Sequence, residues 1–253
     1  MSDKLTKHSQ NHSSKPVWRV IPLLNATGNV QMAIDRWLLQ KHQHGKHPPT
    51  LRFYTWSPVA ISLGYHQQKY PLEWHNLTWQ GTKIDLVRRP TGGRAVLHQG
   101  DLTYAVITSG LSASRIQAYT KICEFLIQGW RTLGINLHYG KAGRGYIHNP
   151  NCFATATGAD LVMDNGCKVI GSAQLRKDDF ILQHGSMGLN RDNNLFSQVF
   201  GTEPVNSIQL PQHLTIAEIT DALIAAAQNC FTIQVEVKSL SPEEWEDILR
   251  SEE

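Results

Sequence analysis

The dipeptide Asn165-Gly166 constrains this chain more than any other single feature. It stands between two strand-like runs, Ala159 to Met163 and Lys168 to Gln174. Asn-Gly is the pair best suited to the positive backbone dihedrals of a tight turn, so the two runs are predicted to pair antiparallel. A third strand, Phe180 to Gln183, follows the turn Lys177-Asp178-Asp179. Further strand-like runs cover Leu51 to Trp56, Ala60 to Tyr65, Lys83 to Arg88, Leu102 to Thr108 and Phe231 to Val237. Helical periodicity marks Asn29 to His44, where Val30, Ala33, Ile34, Trp37 and Leu38 share a stripe and Gly45 ends it. It is clearest over Ser114 to Leu133, where Ile116, Tyr119, Cys123, Leu126, Trp130 and Leu133 recur at spacings of three and four before Gly134. Thr215 and Glu218 form a capping box for a helix running to about Asn229, and Ser241, Pro242 and Glu244 open a last short one. Strands and helices mix without regular alternation. The expected class is therefore α+β, a mixed, largely antiparallel sheet backed by helices.

Of the 253 residues, 41% are hydrophobic and 18% charged, enough for a sizeable core. No apolar run reaches the roughly 20 residues needed to cross a bilayer. Residues 1–16 are polar and rich in Ser, His and Lys, with no secretory segment. They are expected to form a mobile tail ahead of a single domain over 17–253. The net charge of +3 is too slight for a nucleic-acid binder, whose basic residues would crowd one face; it suits an acidic protein partner. The four cysteines contain no CxxC pair. Free thiols and a cytoplasmic location are expected, with neither nucleic acid nor membrane as partner.

Three segments have the composition of a site. In Arg88-Arg89-Pro90-Thr91-Gly92-Gly93-Arg94-Ala95-Val96-Leu97-His98, paired glycines let the backbone turn sharply and approach a ligand, and the arginines add donors around an anion nest. The alternative is a glycine turn with solvated arginines. In Lys168-Val169-Ile170-Gly171-Ser172-Ala173-Gln174-Leu175-Arg176, three small residues leave little bulk on either face, which suits close approach of a ligand or another backbone. Lys168 is either a snorkelling surface lysine or a functional cation. Asn149-Pro150-Asn151-Cys152-Phe153-Ala154 reads as a polar loop that leaves Cys152 accessible, whereas Cys123 on its helical stripe reads as a buried thiol. Of the twelve histidines, His42, His44 and His47 crowd a helix end without the partners of a metal site and read as surface residues; no metal is expected. His98 and His184 either line a pocket or are satisfied structural histidines.

Taken in order, these segments resemble the biotin/lipoate protein ligase superfamily, specifically its lipoate ligase and octanoyltransferase branch. Arg88 to His98 with Asp101-Leu102-Thr103-Tyr104 looks like the family's arginine–glycine signature, and Lys168 to Gln174 like its lysine strand. Gln183-His184-Gly185-Ser186 looks like the segment that follows. Met32-Ala33-Ile34-Asp35, Leu51-Arg52-Phe53-Tyr54 and Ser62-Leu63-Gly64-Tyr65 match as well, so the similarity spans roughly residues 17 to 240. The chain departs from the pattern at Gln99, where the family often has Asp, and at Asp35-Arg36, which replaces a more usual acidic pair.

The resemblance implies a lipoate/biotin ligase-like catalytic domain over 17–253 and one of two chemistries. ATP-dependent ligases make an acyl-adenylate without a cysteine. One group of octanoyltransferases carries the acyl chain on a cysteine in a Cys-Phe context upstream of the lysine strand, which Cys152-Phe153 resembles. The implied activity is protein octanoyltransferase. An octanoyl or lipoyl group passes from a thioester on acyl carrier protein or the glycine-cleavage H protein to Cys152, and then to a lysine of a lipoyl domain. Lys168 would lower the pKa of Cys152 and donate to the acyl carbonyl, with amides near Gly171 and Ser172 completing the oxyanion site. Substrate binding falls to Arg89, Gly92, Gly93, His98, Gly171, Ser172, Ala173, Gln174 and His184. No cofactor is expected; ATP and magnesium enter only if the chain is an ATP-dependent lipoate ligase. A non-catalytic relative that binds lipoyl domains without modifying them is the alternative from a different class.

Overall fold

A computed structural model of the chain describes residues 14–140, 159–202 and 214–250. Its first half runs β1 (Val17–Ala26), α1 (Gly28–Gln43), β2 (Thr50–Trp56), β3 (Ala60–Leu63), β4 (Thr78–Trp79), β5 (Thr82–Lys83), β6 (Asp85–Arg88), β7 (Val96–His98) and β8 (Asp101–Ser109). The second half runs α2 (Arg115–Thr132), β9 (His138–Tyr139), β10 (Leu161–Val162), β11 (Lys168–Lys177), β12 (Phe180–Gly188), α3 (Asn193–Phe200), α4 (Ile216–Phe231), β13 (Gln234–Val237) and α5 (Pro242–Arg250).

Eight strands form one sheet in the order β13-β1-β2-β8-β12-β11-β10-β9. The junctions β13–β1 and β1–β2 are parallel and the rest antiparallel. The expected mixed, largely antiparallel sheet is therefore what forms. A smaller sheet, β6-β3-β7, stands beside it.

Period-two alternation assigns the two faces of the large sheet. Leu102, Tyr104 and Val106 of β8 join the core beneath α2 and α4, with Ile122, Phe125, Leu126, Trp130 and Leu223. Ala105 and Ile107 of the same strand join the core beneath α1 and α5, with Ile34, Trp37, Leu38 and Ile248. Burying each such large side chain contributes about 1.5–3 kcal/mol. The helices thus cover both faces rather than backing one. A third cluster, around Trp74, Ile61, Leu97 and Phe196, holds the small sheet to α3.

Several boundaries differ from expectation for local reasons. Gly166 alone of the Asn165-Gly166 pair has positive φ, at 78°. Asn165 instead accepts the Cys167 N–H on Oδ1 at 2.9 Å, and the register shifts between Leu161 and Val162. The hairpin is real, but its turn is not the predicted double-positive one. Ile116, placed on the α2 stripe, is 78% exposed. α4 continues to Phe231, so its strand begins at Gln234 rather than Phe231. Pro16, assigned to the tail, accepts the Gln234 N–H and belongs to the fold. β1 escaped the alternation test because Ile21 and Leu24 straddle a register shift around Pro22, a residue confined to such irregularities within strands. The Thr215–Glu218 capping box is formed as expected, and Ser241 and Glu244 cap α5 in the same reciprocal way.

Candidate active site

The α1 face of the large sheet and the small sheet enclose a cavity of about 90 Å³. Gly171, Ala173 and Gly185 form a floor without bulk, Met32, Tyr54, Trp56 and Val96 supply apolar walls, and Ser62, His98, His184 and Ser186 supply polar groups. Such a slot, apolar with few polar groups at fixed points, suits a small acyl-type ligand.

Two hydroxyl–imidazole–carboxylate chains face this cavity. In the first, Ser62 Oγ lies 2.8 Å from His98 Nε2, and His98 Nδ1 lies 2.8 Å from Asp101 Oδ2. Asp101 Oδ2 also accepts from Ser186 Oγ at 2.6 Å and Thr103 Oγ1 at 3.2 Å. Arg89 Nη1 donates to Ser62 Oγ at 3.2 Å. Ser62 therefore accepts from Arg89 and donates to a neutral His98, whose Nδ1–H is held by Asp101. Burial pushes the His98 pKa down, against the Asp101 carboxylate, which raises it. Trp56 stacks on the ring, with centroids 3.8 Å apart and planes 16° from parallel.

In the second chain, Thr91 Oγ1 lies 2.6 Å from His184 Nε2, and His184 Nδ1 lies 2.8 Å from Asp35 Oδ2. Tyr54 donates to Asp35 Oδ2 at 3.1 Å, and Arg52 Nη1 lies 3.2 Å from Asp35 Oδ1. Burial, with the Asp35 charge adding to it, holds the Tyr54 hydroxyl protonated. Both imidazoles are thus oriented by a carboxylate, and the pair is read better as positioning groups than as solvated acids or bases.

Behind Asp160, which lines the cavity, Lys168 Nζ lies 2.9 Å from Asp160 Oδ1, and both side chains are 5% exposed. This is a buried ion pair, so the snorkelling alternative does not hold. Gly171 makes room for it: a methyl there would meet Lys168 Cε at 2.9 Å and Nζ at 3.1 Å. β10 pairs with β11 only as far as Ile170, leaving the edge beyond it without a strand partner among the described residues. Tyr119 reaches the Ser172 carbonyl on that edge at 3.4 Å. In a strand a residue's N–H lies on the same edge as its C=O, so the Ser172 N–H points there too, beside the Lys168–Asp160 pair.

The arginine–glycine segment behaves otherwise than as an anion nest with flanking donors. Arg89 donates to the carbonyls of Ser62 at 2.8 Å, Gly92 at 2.8 Å and Arg94 at 2.7 Å. Arg88 donates to the carbonyls of Gly64 at 2.7 Å and Gln67 at 2.8 Å. Both guanidiniums clip loop to strand. Gly93, with φ of 97°, lies where Arg89 Nη2 would be 2.8 Å from an added Cβ.

The sequence profile of the lipoyl protein ligase A/B catalytic domain matches residues 27–228. The chain belongs to this family. A relative from Anoxybacillus flavithermus, named Octanoyltransferase LipM, is 38% identical over 198 residues, covering 74% of this chain and 70% of that protein. Another of the same name, from Carboxydothermus hydrogenoformans, is 33% identical over 249 residues, covering 90% and 92%. In fold the chain is similar to the lipoic-acid-bound Ta0514 of T. acidophilum, with TM-score 0.75, 24% identity, and 91% and 92% of the two chains covered.

Placed on this lipoyl protein ligase A/B fold, the expected substrate-binding residues divide. Arg89, Gly93, His98, Gly171, Ser172, Ala173 and His184 line the cavity. Gly92 and Gln174 line a separate, adjoining cleft. Ser172 spends its hydroxyl on Tyr104 at 2.8 Å, and Gln174 donates to Gln183 at 3.0 Å, both on the α2 face. Cys152 lies outside the described residues. Cys123 is fully buried, accepts from Gln183 at 3.5 Å, and its thiol is pushed up to about 12 by burial, which makes it an inert core residue. His42, expected at the surface, is buried between the His47 carbonyl at 2.9 Å and Ser109 at 3.1 Å. Among the described residues no three His, Cys, Asp or Glu side chains gather as a metal site, and no helix is long and apolar enough to cross a membrane.

Sequence reasoning missed Asp160, Ser62 and Thr91 as site residues, and used Asp35 and Asp101 only as family wording. Asp160 was within reach, since the hairpin register that sets Leu161 opposite Ile170 carries it to Gly171. Gln99, the departure from the family pattern, accepts the Asp192 N–H at 2.6 Å and anchors the start of α3 instead of entering the cavity.

Proposed function

We propose that this protein is an octanoyltransferase acting through a thioester on Cys152. The observation that carries the activity is the 33% identity, over nine-tenths of both chains, to a relative named Octanoyltransferase LipM. The cavity supports it from the chemical side, being a small apolar slot with a buried cation behind Asp160 of its lining. The donor is an octanoyl thioester on an acyl carrier protein or a glycine-cleavage H protein. Cys152 attacks its carbonyl as the thiolate, the S–acyl bond to the carrier breaks, and the carrier leaves as a thiolate that takes a proton from water. A lysine amine of an acceptor lipoyl domain then attacks the acyl-enzyme. The amide forms, the Cys152 thiolate departs, and the amine gives up a proton to water.

Lys168 has two roles in this reading: its ammonium favours the thiolate and meets the charge that develops on the acyl oxygen. Asp160 positions that ammonium, and the Ser172 amide on the outer edge of β11 adds a donor. His98 and His184, each held by a carboxylate, shape the acyl slot. No nucleotide or other cofactor takes part. The free thiols of Cys123, Cys167 and Cys230 fit a reducing cytoplasm.

The test is the intact mass of the purified protein after incubation with octanoyl-carrier protein and no ATP. The expected result is a single octanoyl adduct that disappears in Cys152→Ala and persists in Cys123→Ala. An adduct-free protein that modifies a lipoyl domain only with ATP and free octanoate would replace this reading by the ligase one. Binding of lipoyl domains without any covalent product would replace it by the non-catalytic one.

A further inference from the structure

Beyond the cavity lies a second and larger depression of about 800 Å³, running from Gly92 along the outer side of α1 to the end of β11. Its lining carries Arg36, His44, His66, Arg115, Arg176 and Lys177 and, among the described residues, no carboxylate. The chain as a whole has 24 Lys and Arg against 21 Asp and Glu, so a one-signed lining of this extent is a local concentration and not a reflection of composition. Asp178 and Asp179 stand at the far rim. Arg176 is partly occupied there, donating to the Asp178 carbonyl at 2.8 Å and lying 3.7 Å from Asp179. Of the lining residues Tyr65 is 56% exposed, and Ile116, next in the chain to the lining residue Arg115, is 78% exposed. Basic residues around exposed aromatic and aliphatic anchors are the composition of a protein-docking face. Residues adjacent in the chain line the two: Gly92 the cleft and Gly93 the cavity, Gln174 the cleft and Ala173 the cavity.

We propose that this cleft docks the acyl donor, an acidic carrier domain whose thioester arm is joined through a phosphodiester. The inference rests on the transferase reading and adds to it which of the two protein substrates lands where. The charge decides between them. A donor of this kind presents acidic side chains and an anionic linkage on the way to the thioester. The acceptor brings a lysine, whose own charge a basic rim does not complement. Ile116 and Tyr65 then have an occupant, since apolar side chains this exposed beside a charged groove are covered when the carrier lands.

Three exposed members of the lining test it: Arg36→Glu, Arg115→Glu and Lys177→Glu, combined. A control of equal charge, Lys83→Glu, Arg131→Glu and Lys238→Glu, lies outside the cleft lining. Two donors are compared, octanoyl-carrier protein and octanoyl-N-acetylcysteamine, which has the thioester but neither phosphate nor protein. The cleft variant is expected to lose about 10- to 100-fold in kcat/KM with the carrier while changing about twofold or less with the small thioester. The control keeps the wild-type ratio, and added salt narrows the difference between wild type and cleft variant. Equal losses in cleft and control variants overturn the proposal. So does a loss confined to the KM of the lipoyl-domain acceptor, which would assign the cleft to that partner. Transfer from neither donor by the wild-type protein would instead sink the transferase reading. The surface is then judged by carrier binding in fluorescence anisotropy, where equal affinities for cleft and control variants overturn it.

Discussion

At position 171 a methyl group would stand 2.9 Å from Lys168 Cε and 3.1 Å from its ammonium nitrogen. Both atoms are at the far end of a flexible side chain, so the clash is relieved by moving the ammonium rather than the sheet. Gly171→Ala should therefore melt close to the wild type while its kcat falls about 100-fold, the usual consequence of misplacing a reacting group by about 1 Å. A melting curve and a transfer assay on one preparation separate the two effects, and an active Gly171→Ala protein would show that the position of Lys168 does not matter. His98 leads to a prediction in pH. Its folded pKa is depressed by burial from the ordinary 6.5, so the unfolded chain takes up a proton that the native chain resists. Stability is then fully present above the unfolded value and falls as pH drops through about 6.5 towards the folded one. Denaturant titrations at pH 7.5 and pH 5.5 should show a loss that shrinks in His98→Gln; an unchanged loss assigns the effect to other histidines. These residues were legible as types in a segment, but their partners were not. Nothing near His184 in sequence points to Asp35, 149 positions away.

The elements were legible where one rule acted alone. The capping signals at Thr215 and Ser241 and the apolar stripe of α2 from Tyr119 onward depend on neighbours within a few residues, and they appear as expected. Boundaries shifted where a tertiary contact competed, as when Phe231 left its strand to stack on Trp18 with ring centroids 4.7 Å apart. α5 shows how such contacts fix an element. Arg19, 4% exposed on β1, donates to Glu244 Oε1 at 2.7 Å and Oε2 at 2.8 Å, and to the carbonyls of Lys238 at 3.0 Å and Ser239 at 2.6 Å. Removing one partner of a buried, forked ion pair costs about 3 kcal/mol or more. Arg19→Met is thus expected to lower Tm by about 6–12 °C and to speed amide exchange in α5 ahead of the rest. Uniform exchange across α5 and the central strands would show that the helix is held by its apolar face alone.

At the scale of the whole molecule, the sheet separates two kinds of chemistry. Its α2 face is closed by apolar packing, with one polar network in which Gln183 joins Tyr104 and Cys123. Its α1 face carries the cavity, both imidazole–carboxylate chains and, beyond α1, the basic cleft. α1 faces both: Asp35 points inward to His184 while the next residue, Arg36, lines the cleft. The donor-docking test therefore belongs to this scale, since it asks whether a face assembled from α1, the 88–98 segment, α2 and β11 acts as one surface.

The sequence alone established the class of fold, the hairpin that carries Lys168, the family, and seven of the residues that line the cavity. Each of these depends on short-range backbone preference, on periodicity, or on a segment whose wording survives intact. Only the tertiary structure decided what those residues do for one another. It set the Arg88 and Arg89 guanidiniums on backbone carbonyls, and paired Lys168 with Asp160. It also joined Ser62 to Asp101 through His98, and gathered basic residues from four distant segments along one cleft. Hydrogen bonds and ion pairs act over about 3 Å in space, whereas partners in this protein are separated by up to 225 positions in the chain.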